Sequence, residues 1–191
     1  MEDNILVKEK ITMLSEDVLN NFVESDNLLL KLFSNDDQED FYEYTSTPGV
    51  LEMTGWIHNK NRSESNKTLS KLIENKNVFA IVLKEENKVI GHISVNEEDD
   101  EKLPDKQIVE IGFVIGKKYW NHGYATEVAR LIINYCFNKL KIDSIIGGHL
   151  ENNIQSKKVL MKLGFQAYDT YTWKFEISEK ELLVYNYILN R

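Results

Sequence analysis

Apolar positions along the chain change period several times, and each change marks an element. Ile5 to Met13 reads as a first strand, followed by a helix opening at Ser15 as N-cap with Val18, Leu19, Phe22 and Val23 on its apolar side. Residues 25–62 are less regular; short helices over Leu28–Phe33 and Asp37–Tyr44 fit them, with a turn at Thr47-Pro48-Gly49. Ser63 then caps a helix carrying Leu69, Leu72 and Ile73, and Val78–Leu83 and Val89–Val95 make a hairpin around Glu85–Lys88. From Ile108 to Ile115 the β-branched and apolar residues are too dense for a strand with water on both faces, so this segment is central in its sheet. Past Gly123 the period becomes helical: Ala125, Val128, Ala129, Ile132, Ile133, Cys136, Phe137 and Leu140 describe one buried face. A further apolar strand, Ser144–Leu150, leads into a short helix that has Asn153 near its start and Gly164 past its end. Two aromatic-rich strands, about Gln166–Glu176 and Leu182–Leu189, close the sheet.

The chemistry lies where strand 108–115 meets the helix after Gly123. A helix start leaves its first N–H groups without partners and carries partial positive charge. Consecutive amides from about Asn121 through His122, Gly123, Tyr124, Ala125 and Thr126 can therefore converge on a pyrophosphate, and Gly123 lets the backbone come close. A hydrogen bond to a charged group is worth about 1.5–3 kcal/mol and the helix end adds roughly 0.3–1, so three or four amides hold a diphosphate without an arginine. An ordinary tight strand-to-helix turn would show the same single glycine.

The second block, Glu151-Asn-Asn-Ile-Gln-Ser-Lys-Lys-Val-Leu-Met-Lys-Leu-Gly-Phe165, weighs against that plainer turn. Together the two blocks resemble the GNAT N-acetyltransferases: Gly123 and Ala125 match the family's pyrophosphate loop, and Asn153, Ser156, Lys162, Gly164 and Phe165 match its Asn-x-x-Ser helix and Lys-x-Gly-Phe ending. Trp120 stands where Gln or Arg is usual, and Tyr-Trp-x-x-Gly-Tyr-Ala-Thr-Glu is similar to the RimJ/RimL-type branch, whose known members acetylate the N-terminal amine of ribosomal proteins. The likeness covers roughly residues 78–165. It implies an α/β fold with a mixed, mostly antiparallel central sheet, whose two central strands splay apart and which helices flank. It implies acetyl-CoA as co-substrate, its pantetheine arm lying in the V of the splayed strands against Phe113, Val114 and Ile115, with Asn153 and Ser156 also in contact.

Catalysis then needs a neutral amine and a base. Glu110 shares a strand face with Ile108, Gly112 and Val114, so burial would raise its pKa, and it occupies the place of the glutamate that deprotonates the acceptor in many GNAT members. A strand-edge glutamate in solvent or in a salt bridge is the plainer reading. The tyrosine that often protonates the leaving thiolate is replaced by Leu160; in RimL-like enzymes a serine at the place of Ser156 takes this role, although Ser156 also suits a simple cap. Asn153 is expected to bind pantetheine amides or orient the acceptor, with helix capping as its alternative.

Composition narrows the picture further. The 191 residues read as one acetyltransferase domain over 1–191, without a repeat or Pro/Gly-rich linker. No run approaches the roughly 20 apolar residues of a membrane span, and the N-terminus, polar from Glu2, lacks a signal peptide. The lone Cys136 cannot pair internally, which suits a cytoplasmic location, and it sits on an apolar helix face as a core thiol. His58, His92, His122 and His149 lack metal-ligand spacing. A formal net charge of −8 excludes a general nucleic-acid face, while Lys117, Lys118, Lys157 and Lys158 lie near enough to meet a nucleotide locally, or are merely solvated. The acidic run from Glu97 to Glu101 either draws a cationic acceptor or is a solvated loop. Trp56, Tyr42, Tyr44 and Phe41 line the acceptor side or belong to the core, and Tyr168, Tyr171, Trp173, Tyr185 and Tyr187 are strand packing or the surface of a homodimer.

The acceptor stays open between a peptide N-terminus and a small amine such as a polyamine, amino sugar or antibiotic, with a catalytically silent CoA-binding module as the third reading.

Overall fold

The computed structural model describes residues 2–20, 23–174 and 181–191. Helix α1 (Glu2–Leu19) leads into strand β1 (Leu28–Leu32), α2 (Gln38–Thr45), α3 (Arg62–Glu74), the hairpin β2 (Val78–Leu83) and β3 (Lys88–Glu98), then β4 (Ile108–Ile115) and α4 (Tyr124–Asn138). Strand β5 (Ser144–Leu150), α5 (Ile154–Lys162), β6 (Gln166–Lys174) and β7 (Glu181–Asn190) complete the described chain. The sheet runs in the order β1-β2-β3-β4-β5-β7-β6, antiparallel throughout except where β4 lies parallel to β5. Helices α1 and α4, with Leu160 of α5, bury their apolar positions on one face; α2 and α3 cover the other through Phe41, Tyr44 and Leu69.

The expected strand over Ile5–Met13 is instead part of α1. Val7, Ile11, Leu14 and Val18 recur at four, three and four residues and enter the main core, so the helical period runs on through Ser15. Ser15 is not a cap: it sits inside the helix, where its Oγ–H bonds the carbonyl of Ile11 at 3.1 Å or that of Lys76 at 2.5 Å. Phe22, placed by its sequence on that helix, lies outside the described residues, as do the last two residues of the strand expected over Gln166–Glu176. The helix expected over Leu28–Phe33 is absent, and Leu28–Leu32 forms β1 instead: Leu28 pairs with Leu83 and Leu32 with Phe79, and Leu28 and Leu30 point into the core. A free edge on β2 overrides the helix propensity of leucine. Helix α3 begins one residue before Ser63, with Asn61 as N-cap accepting the Glu64 N–H at 3.0 Å.

The other elements fall close to where periodicity put them. What periodicity could not give is the separation of the two central strands. β4 and β5 pair only at Ile108–Ser144, Val109–Ile145 and Glu110–Ile146, after which β5 stays with β7 and β4 stays with β3.

The β3–β4 ladder that survives the separation depends on a close approach at Gly91, where a Cβ would lie 2.1 Å from the Val114 carbonyl oxygen. Gly91→Ala is expected to destabilise the fold by about 3 kcal/mol, lowering the melting temperature by roughly 6–12 °C in a calorimetric scan.

Candidate functional site

Two cavities meet in the gap between β4 and β5. One, of about 430 Å³, is bordered by the end of β4 (Phe113, Val114, Ile115), the turn into α4 (Trp120, Asn121, Gly123, Tyr124, Ala125, Thr126) and α5 (Asn153, Ser156, Lys158). The other, of about 300 Å³, opens on the opposite side and is bordered by His92, Ser94 and Asn96 of β3, Glu110 and Gly112 of β4, Gly148 to Leu150 of β5, and Trp56, Tyr171 and Trp173. Met53, Thr54, Phe113, Val114, Asn153 and Ser156 line both.

On the first side the backbone does the shaping. Asn121 and Gly123 hold φ of +65° and +89°, turning the chain so that α4 starts pointing at the gap. The first helical bond is Glu127 N–H to the Gly123 carbonyl at 3.0 Å, so the amides just before it have no intrahelical partner. The Glu127 carboxylate accepts hydrogen bonds from Ser25 and Asn27, fixing the helix start against the chain ahead of β1. Trp120, at the unusual position, packs inward and its indole N–H donates to the Ile115 carbonyl at 2.6 Å, bracing the end of β4. The His122 ring stacks on Tyr124 with centroids 5.7 Å apart. Lys158 borders the cavity, whereas Lys117, Lys118 and Lys157 do not; Lys118 reaches Glu86 at 3.9 Å.

At the junction, Asn153 is buried and caps α5: its Oδ1 accepts the Ser156 N–H at 3.0 Å, and its Nδ2 donates to the Met53 carbonyl at 2.8 Å. The capping alternative therefore holds, and the same side chain ties the loop before α3 to the rim of the gap. The Ser156 hydroxyl has no partner among the described residues and lines both cavities. Leu160 is buried and packs onto Gly147, where a Cβ would meet its Cδ2 at 2.8 Å.

On the second side Glu110 is half-buried at the last position where β4 pairs with β5, its carboxylate with neither hydrogen bond nor ion pair among the described residues. Burial, and then the charge of Glu98, raise its pKa above the ordinary carboxyl value. The pKa of Tyr171 is raised by burial and then by the charges of Glu110 and Glu98. Of the acidic run, Glu98 thus shares the face of Glu110; Asp100 instead caps its own turn by accepting the Lys102 N–H at 2.8 Å. Phe41 and Tyr44 are buried in the second core, while exposed Trp56, Tyr171 and Trp173 stand at the rim. The thiol of Cys136 is buried in the core and pushed up to about 12 by that burial.

The polar face of β3 escaped the sequence reading. His92, Ser94 and Asn96 alternate with Ile93 and Val95, so a two-faced strand was legible; that its polar face meets Glu110 follows only from the register, in which Asn96 pairs with Glu110 and Ser94 with Gly112.

A model of the acetyltransferase (GNAT) domain matches residues 27–166. The chain belongs to the GNAT acetyltransferase family. It is 29% identical over 147 residues to the uncharacterized N-acetyltransferase YnaD of Bacillus subtilis, across 75% of this chain and 82% of that one. A GNAT-family acetyltransferase structure from Bacillus anthracis superposes with a TM-score of 0.75 at 25% identity, covering 88% of this chain and 97% of the other. The spermidine N-acetyltransferase of Vibrio cholerae, in complex with CoA and spermine, shares the fold with a TM-score of 0.69 at 14% identity, covering 87% and 96% of the two chains.

This GNAT enzyme is an N-acetyltransferase that uses acetyl-CoA and an amine acceptor. Its first cavity fits the cofactor by its own features: unpaired helix-start amides, a left-handed glycine with nothing within 4 Å of where a Cβ would project, and Lys158 at the rim. No helix among the described residues is long and apolar enough to cross a membrane.

Replacing Trp120 by Phe removes the donor to the Ile115 carbonyl while keeping the ring. Calorimetric titration is expected to show acetyl-CoA binding about 3- to 10-fold weaker, consistent with one lost hydrogen bond of about 1 kcal/mol.

Proposed function

We propose that this enzyme acetylates the α-amine of a peptide or protein N-terminus, in the manner of the RimJ/RimL-type branch its Trp120 to Glu127 motif resembles, by direct attack within a ternary complex. The described chain is read as one catalytic domain acting in the cytoplasm. The observation that carries the reading is Glu110: an unpartnered, half-buried carboxylate of raised pKa, at the apex of the gap, lining the cavity opposite the cofactor side.

In this scheme the amides from about Asn121 to Thr126 hold the diphosphate, and Phe113, Val114 and Ile115 run beside the pantetheine arm. Acetyl-CoA supplies an activated acyl thioester. Glu110 takes the proton the amine loses as its N–C bond forms, directly or through a water. The Ser156 hydroxyl, near the positive start of α5, hydrogen-bonds the sulfur as the C–S bond breaks. A carboxylate base of raised pKa suits an α-amine: freeing an amine of pKa near 8 at pH 7 costs about 1.4 kcal/mol, against about 4.6 for a lysine-like amine near 10.4. The open aromatic rim of Trp56, Tyr171 and Trp173 leaves room for an extended chain.

A small-amine acceptor is the second reading, favoured by the two carboxylates Glu98 and Glu110 on one face. Fold neighbours fall on both sides, since the spermidine enzyme stands beside a ribosomal-protein-S5-alanine acetyltransferase of Vibrio fischeri with a TM-score of 0.68 at 17% identity. Release of free CoA thiol with Ala- and Ser-starting peptides, but not with polyamines or amino sugars, is the outcome expected; the reverse preference would move the function to small amines.

Glu110→Gln is expected to lower kcat by about 10²- to 10⁴-fold with acetyl-CoA affinity unchanged. Because a base must be deprotonated, activity of the unaltered enzyme should fall as pH drops through the raised Glu110 pKa, and the variant should lose that acidic limb. An unaltered pH–rate profile in the variant would place the base elsewhere.

A further inference from the structure

The polar strip of β3 contains one group that the scheme above leaves unused. Ser94 and Asn96 are engaged within the protein: Ser94 Oγ–H donates to the Gly112 carbonyl at 3.4 Å, and Asn96 Oδ1 accepts from Asn77 Nδ2 at 2.6 Å. His92 is engaged at one nitrogen only. Its Nδ1 lies 3.0 Å from the Tyr44 hydroxyl, its ring is wedged against Phe33 and Tyr44, and Nε2 has no partner among the described residues although the ring borders the second cavity.

The partner fixes the tautomer. Tyr44 is buried in the second core and its hydroxyl meets no other polar group among the described residues. Were it to accept from Nδ1–H, its own hydrogen would be buried unpaired at a cost of about 1–3 kcal/mol. The phenol therefore donates to Nδ1, and the imidazole proton sits on Nε2. Burial draws the pKa of His92 down to about 4, with no neighbouring charge contributing, and holds Tyr44 far above its ordinary value, so both rings stay uncharged at neutral pH.

We propose that His92 presents a fixed, uncharged N–H donor to the amine substrate and reads a carbonyl oxygen several bonds from the reacting nitrogen. The role rests on the second cavity being the acceptor side. His92 pairs with Val114 and Glu110 with Asn96, so the two side chains leave the sheet four residues apart, about 13 Å along the strands. Gly112, between them, projects no side chain into the strip. An extended peptide with its amine at Glu110 brings a backbone carbonyl within that span; a polyamine brings ammonium donors, which repel an N–H. His92 is thus a specificity residue that selects peptide over polyamine and leaves proton transfer to Glu110.

Two variants separate the ring's nitrogens. His92→Gln restores an N–H near the place of Nε2, whereas His92→Asn keeps a partner for Tyr44 and presents nothing to the cavity. With a tetrapeptide acceptor, His92→Asn is expected to raise KM about tenfold, or about 1.4 kcal/mol. Its kcat, acetyl-CoA affinity and pH profile should stay within about twofold, and His92→Gln should recover KM to within about threefold. The His92→Asn penalty should vanish for a single-residue amide acceptor. Equal KM in the two variants, or a loss confined to kcat with a changed pH limb, overturns the proposal. Independently of any acceptor, nitrogen-15 NMR of the unaltered chain, with His92 assigned by its absence in His92→Gln, should show the Nε2–H tautomer from about pH 5 to about pH 8. The opposite tautomer, or titration within that range, overturns the donor assignment even without a substrate. Failure of the acetyl-transfer reading shows differently, as no CoA release from the unaltered chain with any acceptor.

Discussion

The arrangement depends on an opening in the middle of a sheet. Three rungs join β4 to β5, and past Glu110 and Ile146 the strands separate, leaving backbone groups on facing edges without the ladder that normally satisfies them. An unpaired edge inside a sheet is costly unless something else supplies the donors and acceptors. Here each strand keeps its outer neighbour, β3 for β4 and β7 for β5, so the gap is held open by complete ladders on both sides. Helices seat at its two borders: α4 begins at the end of β4, and α5 begins just past β5 with its cap, Asn153, tied to the Met53 carbonyl across the rim.

That opening divides the electrostatics of an acidic protein into two local regimes. On one side stand the unpaired amides at the start of α4 and Lys158, suited to anionic phosphates. On the other stand Glu110 and Glu98, their pKa values raised by burial, with the uncharged His92 farther along the same sheet face. With fields decaying over about 8 Å at physiological salt, the overall charge of −8 has little say at either place. The junction itself is nearly neutral, lined by Met53, Thr54, Phe113, Val114, Asn153 and Ser156, which suits a thioester meeting an uncharged amine.

Several side chains serve the site by bracing it. Trp120 spends its indole N–H on the Ile115 carbonyl, Asn153 both of its polar atoms on backbone, and Tyr44 its hydroxyl on His92. Such contacts hold neighbouring groups in one rotamer and one tautomer, so that the groups left without partners, Glu110, Ser156 and the Nε2 of His92, are the ones free to meet a substrate.

The sequence by itself marked the candidate cofactor side and gave most of the elements that border it. The amides that would hold a diphosphate are contiguous between Asn121 and Thr126, and one short helix is capped by Asn153, carries Ser156 and stops before Gly164, so local spacing carries their geometry. The partial burial of Glu110 was legible for the same reason, by alternation within one strand. Tertiary structure alone decided the rest. Leu28–Leu32 is a strand because β2 offered an edge, and Ile5–Met13 is helical because the core wanted Val7, Ile11, Leu14 and Val18 on one side. His92 and Asn96 join Glu110 through the register between β3 and β4, Tyr44 reaches His92 from 48 residues away, and Trp56 from the loop before α3 meets Tyr171 and Trp173 of β6. Period and motif encode what neighbouring residues do to one another; which distant side chains share a cavity is set by pairing and packing, which no local pattern records.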